Sequence, residues 1–167
     1  MSSAIRPIIF QPTVAHSYWP VLGFSLLGLA LVMMPRPVFR RLQLFGLVSA
    51  VLTILSNVLA FHLKTWRFSH QNLAFFTVPF GFILGWYAAA LIYGYLLLKY
   101  SFLRGVIILG MSAATVFVEY LAVLRRVVHF GPHWSLVESF FLAIIYHVVL
   151  AYAFHWLINP LSRETFP

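Results

Sequence analysis

Glu119 is the residue whose position most needs explaining. It is one of three carboxylates, with Glu138 and Glu164, and the chain has no Asp. It stands in an apolar run that ends at Arg125 and Arg126. A carboxylate at the centre of a helix in lipid costs roughly 2.5–3.5 kcal/mol on insertion scales, and less toward the helix end. Such a group needs a partner. The candidates are Arg125 or Arg126 at the same helix end, His147, or a tyrosine. Two uses stay open: a hydrogen bond or ion pair that fixes one helix against the next, or a carboxylate that carries a proton or binds a substrate.

Glu138 opens the last apolar run and His147 lies near its middle. At about 100° per residue the two fall on opposite sides of one helix, so they form no site by themselves. His147 can still face Glu119 from a neighbouring helix, or act as a neutral core histidine with one partner. Haem needs two histidines at matched depth on neighbouring helices, and His147 has no such mate. A zinc site needs three or four ligands close together. Glu119, Glu138 and His129 or His133 meet only if a loop folds inward. No cofactor and no metal is expected. There is no cysteine, which removes thiolate chemistry and disulfides. Neither a Ser–His–Asp set nor a Gly-rich phosphate loop is present, so no reaction is named and an enzyme is not the expected reading.

The elements that must hold these residues follow from composition. The chain is 62% hydrophobic and 8% charged, against roughly 25% charged in soluble domains. Lipid must be the solvent for most of it. A crossing helix needs about 20 apolar residues, and five runs qualify, at residues 18–34, 42–63, 73–98, 103–124 and 135–158. The expected fold is an all-α integral membrane bundle of one domain, residues 1–167. The first run precedes Pro35 and Arg36 rather than a small-residue cleavage site, so it reads as a retained helix. Pro35 and Pro37 should break the chain after it, and Pro79 should kink the third helix, with Thr77 re-satisfying the freed carbonyl. Trp19, Trp66, Trp134 and Trp156 fall at helix ends, where amphipathic rings favour the interface. No internal repeat is evident.

A net charge of +8 suits anionic lipid headgroups, because the basic residues sit in short gaps between apolar runs. A nucleic-acid partner is not expected. With the N-terminus outside, Arg36, Arg40, Arg41, Lys99, Arg104 and Arg163 lie inside, against Arg6, Lys64, Arg67, Arg125 and Arg126 outside. Six against five is barely a bias, but the strongest single cluster follows the first helix, which tends to dominate, and favours N-out and C-in. The loops after the second and fourth helices then share a face with His62, His70, His129 and His133. Helices in lipid pack through small residues. Gly46, Ala50, Thr53, Asn57 and Ala60 make a stripe on the second helix, and Gly81, Gly85 and Ala89 one on the third. The two stripes are expected to meet, the alternative being a homo-oligomer or a membrane-protein partner.

Val118-Glu119-Tyr120, His133-Trp134, Ser139-Phe140 and Val78-Pro79 together resemble the CBO0543-like family, multi-pass membrane proteins of spore-forming Firmicutes with no established activity. The resemblance covers roughly residues 73–157. It implies a five-helix protein of the bacterial cell membrane and transfers no catalytic residue. The expectation is a structural or accessory membrane protein. The alternative is a membrane-embedded carrier or enzyme using Glu119 with the basic, histidine-rich face.

Overall fold

The computed structural model describes residues 12–69, 74, 75 and 77–162, with side chains from 17 to 158. His70 and the expected start of the third span at Leu73 lie outside the described residues, as do Arg6, Arg163, Glu164 and the His16 side chain.

The chain is an all-α membrane bundle. Its described helices are α1 (Pro12–Met33), α2 (Arg36–His62), α3 (Phe80–Lys99), α4 (Arg104–Leu124) and α5 (Leu136–Ser162). Four stretches are long and apolar enough to cross a membrane: Arg36–His62, Phe80–Lys99, Ser101–Leu124 and Leu136–Ile158. The apolar part of α1 is shorter, Ser17–Met33. α1 runs parallel to α3 at close range, with Gly23 against Gly81 and Gly85, so it lies at the same depth.

The chain breaks at Pro35 as expected, while Pro37 and Pro79 act differently from expectation. Pro35 caps α2 and Pro37 sits in its first turn, so the helix starts at Arg36 rather than Leu42. The first turn has no intrahelical acceptors for its N–H groups, so proline loses nothing there. Pro79 likewise caps α3 and kinks nothing. The helix starts at Phe80 because the preceding residues form a small hairpin, β2 (Ala74–Phe75) with β3 (Val78–Pro79). Trp19 is packed inside the bundle. It is 2% exposed, buried edge-on to Phe82 at 4.6 Å and to Phe68 at 5.7 Å, within α1 and beside the first turn of α3.

The small-residue stripe of the second helix meets its expected partner, and that of the third does not. Gly46 does face α3, under Tyr87 and Leu91. Gly81 and Gly85 instead face α1: a Cβ on Gly81 would strike the backbone of Trp19 and Pro20.

The structure reveals an internal two-fold that the sequence reading missed. The segment after α2, β1 (Trp66–Phe68), pairs antiparallel with the segment after α4, β4 (Val128–Phe130). Arg67 pairs with His129, the residue 62 positions later, at the centre of the ribbon. The backbone hydrogen bonds around it repeat at that spacing. Thr65 N–H donates to the Ala60 carbonyl, and Val127 N–H to that of Ala122. Lys64 N–H donates to Phe61, and Arg126 N–H to Val123. Lys64 (φ 56°) and Arg126 (φ 55°) both take the left-handed conformation that ends a helix with this pattern. Across the ribbon, Ser69 N–H donates to Val127 and Gly131 N–H to Thr65. Two helix–strand units, 42–68 and 104–130, are thus related by a pseudo-two-fold axis passing between Arg67 and His129. α2 and α4 run in the same direction, so the axis lies along the bundle. Each unit is followed by a helix packed antiparallel on it: Ser49 donates to the Trp86 carbonyl of α3, and Ser112 meets His147 of α5.

Candidate functional site

Alternation along the ribbon makes it a lid. Opposed residues of an antiparallel pair point to one side. Arg67 and His129 face outward and are exposed. Trp66 with Phe130, and Phe68 with Val128, point inward. Beneath them is a cavity of about 70 Å³. Its wall contains pairs related by the axis: Thr53 and Thr115, Asn57 and Glu119, Trp66 and Val128, Phe68 and Phe130. The cavity therefore sits on the pseudo-two-fold. Tyr146 of α5 closes its inner side. The tyrosine hydroxyl donates to the Ser49 carbonyl at 3.0 Å, and its oxygen lies 3.0 Å from the Thr53 hydroxyl.

Asn57 and Glu119 occupy equivalent positions and differ in how they are satisfied. The Asn57 amide donates to the Thr53 carbonyl at 2.8 Å, and its oxygen accepts from Trp66 Nε1 at 2.9 Å. Both ends are used, and the lid is tied to α2. At Glu119 the residue in the place of Trp66 is Val128, which has no donor. Glu119 Oε2 is buried without a hydrogen-bond partner. The Ser139 hydroxyl lies against the carboxyl group. Ser139 Oγ accepts from Trp134 Nε1 at 2.9 Å, so its own proton points onward to Glu119. The expected ion pair with Arg125 or Arg126 does not form: both arginines are exposed beyond the end of α4, and Oε2 stays unpaired. Leaving a buried acceptor unpaired costs about 1–3 kcal/mol, and more for a charged one. The contact with Ser139 thus serves one side of the carboxyl group, and Oε2 is left with no neighbour to offset its burial.

A second cavity, about 130 Å³, adjoins the first on the side of α1, α3 and α4. It shares Trp19, Phe82, Trp86, Thr115 and Glu119 with the axial cavity. The rest of its wall is apolar, including Leu22, Leu26, Met111 and Val118, with Ala89 and the exposed Ala114 beside them. Tyr18 donates to the Val118 carbonyl at 3.1 Å, tying α1 to α4. Trp19 Nε1, on the wall of both cavities, is a second buried group without a partner.

The other expected site residues play packing roles. His147 is 2% exposed, one helical turn beyond Ala143 on the α4–α5 seam. Its Nδ1 bonds the Ala143 carbonyl at 2.7 Å and lies 3.2 Å from Ser112 Oγ. The seam runs in antiparallel register, pairing Ser112 with His147 and Glu119 with Ser139, two turns apart. His147 thus faces Ser112 and not Glu119. Glu138 is exposed and does not join the cluster. Its Oε2 accepts from the Ser135 N–H at 2.9 Å and from the Ser135 hydroxyl, while Val137 N–H donates back to Ser135 Oγ. This is a capping box at the start of α5. The signal was legible in Ser135-Leu136-Val137-Glu138, a serine followed three residues later by Glu before an apolar run. Ser135→Ala is expected to cost about 1 kcal/mol, read by thermal unfolding in detergent, without altering the Glu119 cavity. Among the described residues no three histidines or carboxylates converge.

Residues that sequence reasoning missed are Ser139, Thr115, Trp19 and the inward faces of the ribbon. Strands of three residues leave no periodicity to read. Ser139 and Thr115 could have been found from their spacing to Glu119 along an antiparallel seam. No family model, no curated protein and no solved structure matches the chain.

Proposed function

We propose that this chain is a small membrane carrier whose transported group binds Glu119 inside the axial cavity. One observation carries it: a buried carboxylate with a free oxygen lines a cavity on the two-fold axis between two repeated units. Carriers built from repeats place their sites at the repeat interface, where small rearrangements of one half against the other expose the site to either side. The asymmetry of the pair supports the same reading. Asn57 serves the fold, and Glu119 is released from that duty. An accessory role is less supported, because Gly46, Gly81 and Gly85, the residues that could hold a partner helix, are used inside the chain.

The proposed setting is the bacterial cytoplasmic membrane with the lid facing outward. Support comes from the basic cluster Arg36, Arg40 and Arg41 after α1, and from the likeness at Glu119-Tyr120 and Trp134. The outer rim of Lys64, Arg67, Arg125 and Arg126 then lies among anionic headgroups.

The natural absence of cysteine makes the test direct. Thr115→Cys places one thiol in the cavity. In sealed vesicles of both orientations, a carrier exposes that thiol to a membrane-impermeant maleimide from either side. Labelling from one side alone, or from neither, removes the carrier reading.

A further inference from the structure

We infer that the ligand is an amphipathic organic monocation, with a small ammonium head bound at Glu119 and an apolar arm in the adjoining crevice. This rests on the reading of Glu119 as the binding carboxylate and adds the chemistry of what it binds.

Three observations set that chemistry. The first is charge. Glu119 Oε2 is buried with no hydrogen-bond partner, and Arg125 and Arg126 are exposed beyond the end of α4. A carboxylate in an apolar cavity is complemented by a cation brought from outside. The second is the wall. The rings of Trp19, Phe68, Phe82, Trp66, Trp86 and Tyr146 all line the axial cavity. They are set edge to face: Trp19 to Phe82 at 4.6 Å, Phe68 to Phe82 at 5.1 Å, and Trp86 to Tyr146 at 4.7 Å. Indole and phenyl faces attract an alkylammonium through the ring quadrupole and stay attractive to its methyl groups. A hard metal ion, usually held by several carboxylates, would find one there, because the other oxygens on the wall are hydroxyls and the Asn57 amide, whose oxygen already accepts from Trp66. The third is the shape. The head cavity, about 70 Å³, shares Glu119 with the adjoining crevice of about 130 Å³, whose wall is almost wholly apolar and includes the exposed Ala114. An arm of several methylenes is stabilised there by roughly 0.8 kcal/mol per buried CH₂. A phosphate or carboxylate ligand is disfavoured by the same carboxylate that favours the cation.

The test uses three probes with one arm: hexyltrimethylammonium, hexanol and hexanoate. Binding is followed by tryptophan fluorescence of the unaltered chain in lipid nanodiscs, because Trp19, Trp66 and Trp86 all touch the cavity. The cation is expected to bind saturably, and Glu119→Gln to weaken it by about tenfold or more. Hexanol is expected to bind weakly and equally to both proteins. Equal saturable binding of hexanol or hexanoate, or unchanged cation affinity in Glu119→Gln, overturns the assignment. So does the absence of any saturable signal. The two-sided labelling of Thr115→Cys reports the carrier independently: cation rejection with labelling from both sides removes the ligand class alone, and one-sided labelling with tight cation binding removes transport alone.

Discussion

Gly81→Ala is expected to lower the stability of the bundle by about 3 kcal/mol, the upper part of the range for overpacking, although it adds a single methyl group. At this position the new Cβ meets main chain: the Trp19 carbonyl group and the Pro20 nitrogen. Backbone of a packed helix cannot swing aside as a side chain can, so α1 must move off α3. Trp19 moves with it, and Trp19 forms a wall of both cavities. The same change four residues on should cost almost nothing. A Cβ on Gly85 meets the Gly23 Cα at 3.7 Å and a Leu26 methyl at 3.9 Å, ordinary contacts. Gly28→Ala meets nothing within 4 Å and should raise stability by up to about 1 kcal/mol, the helix-propensity gain of alanine over glycine. Thermal unfolding of the three variants in one detergent measures the series. Equal effects at Gly81 and Gly85 would place α1 elsewhere.

Asn57→Leu is the second large effect. It removes the acceptor of Trp66 Nε1 and the donor to the Thr53 carbonyl in one step. An orphaned buried donor costs about 1–3 kcal/mol. The loss falls on the lid, because Trp66 is the ribbon residue bonded to α2. Amide hydrogen exchange should therefore quicken at β1 and β4 together, since each strand holds the other's hydrogen bonds. Exchange confined to β1 would deny that the two strands open as one unit.

Lipid makes part of this fold easy to read from residues and the rest hard. A crossing helix must satisfy its own backbone bonds and show an apolar surface all round. The spans ending at His62, Lys99 and Leu124 were therefore visible as apolar runs closed by charge. That same uniform apolarity hides which face meets which neighbour. Gly81 and Gly85 were assigned to α2 because small residues mark a contact without naming its partner. The repeat was hidden for a related reason. Its identities, Leu47 with Leu109, Thr53 with Thr115, Leu59 with Leu121, Ala60 with Ala122 and Phe68 with Phe130, are few and of types common in any membrane helix. The pairing of Arg67 with His129 brings them together. Pro79 misled because a proline inside an apolar run looks like a kink until the hairpin before it is known. Glu119 was legible as a costly carboxylate. Its freedom was not, because it depends on Val128 standing where the other half has Trp66.

Glu119→Leu tests the central point most directly, through the unfolding stability of the purified protein without ligand. A carboxylate kept for a ligand does not serve the fold, so replacing it with an apolar side chain should leave stability unchanged or raise it by about 1 kcal/mol or more. A fall of about 3 kcal/mol, the size expected when a buried paired charge is removed, would make Glu119 a structural residue and contradict its role as a binding site.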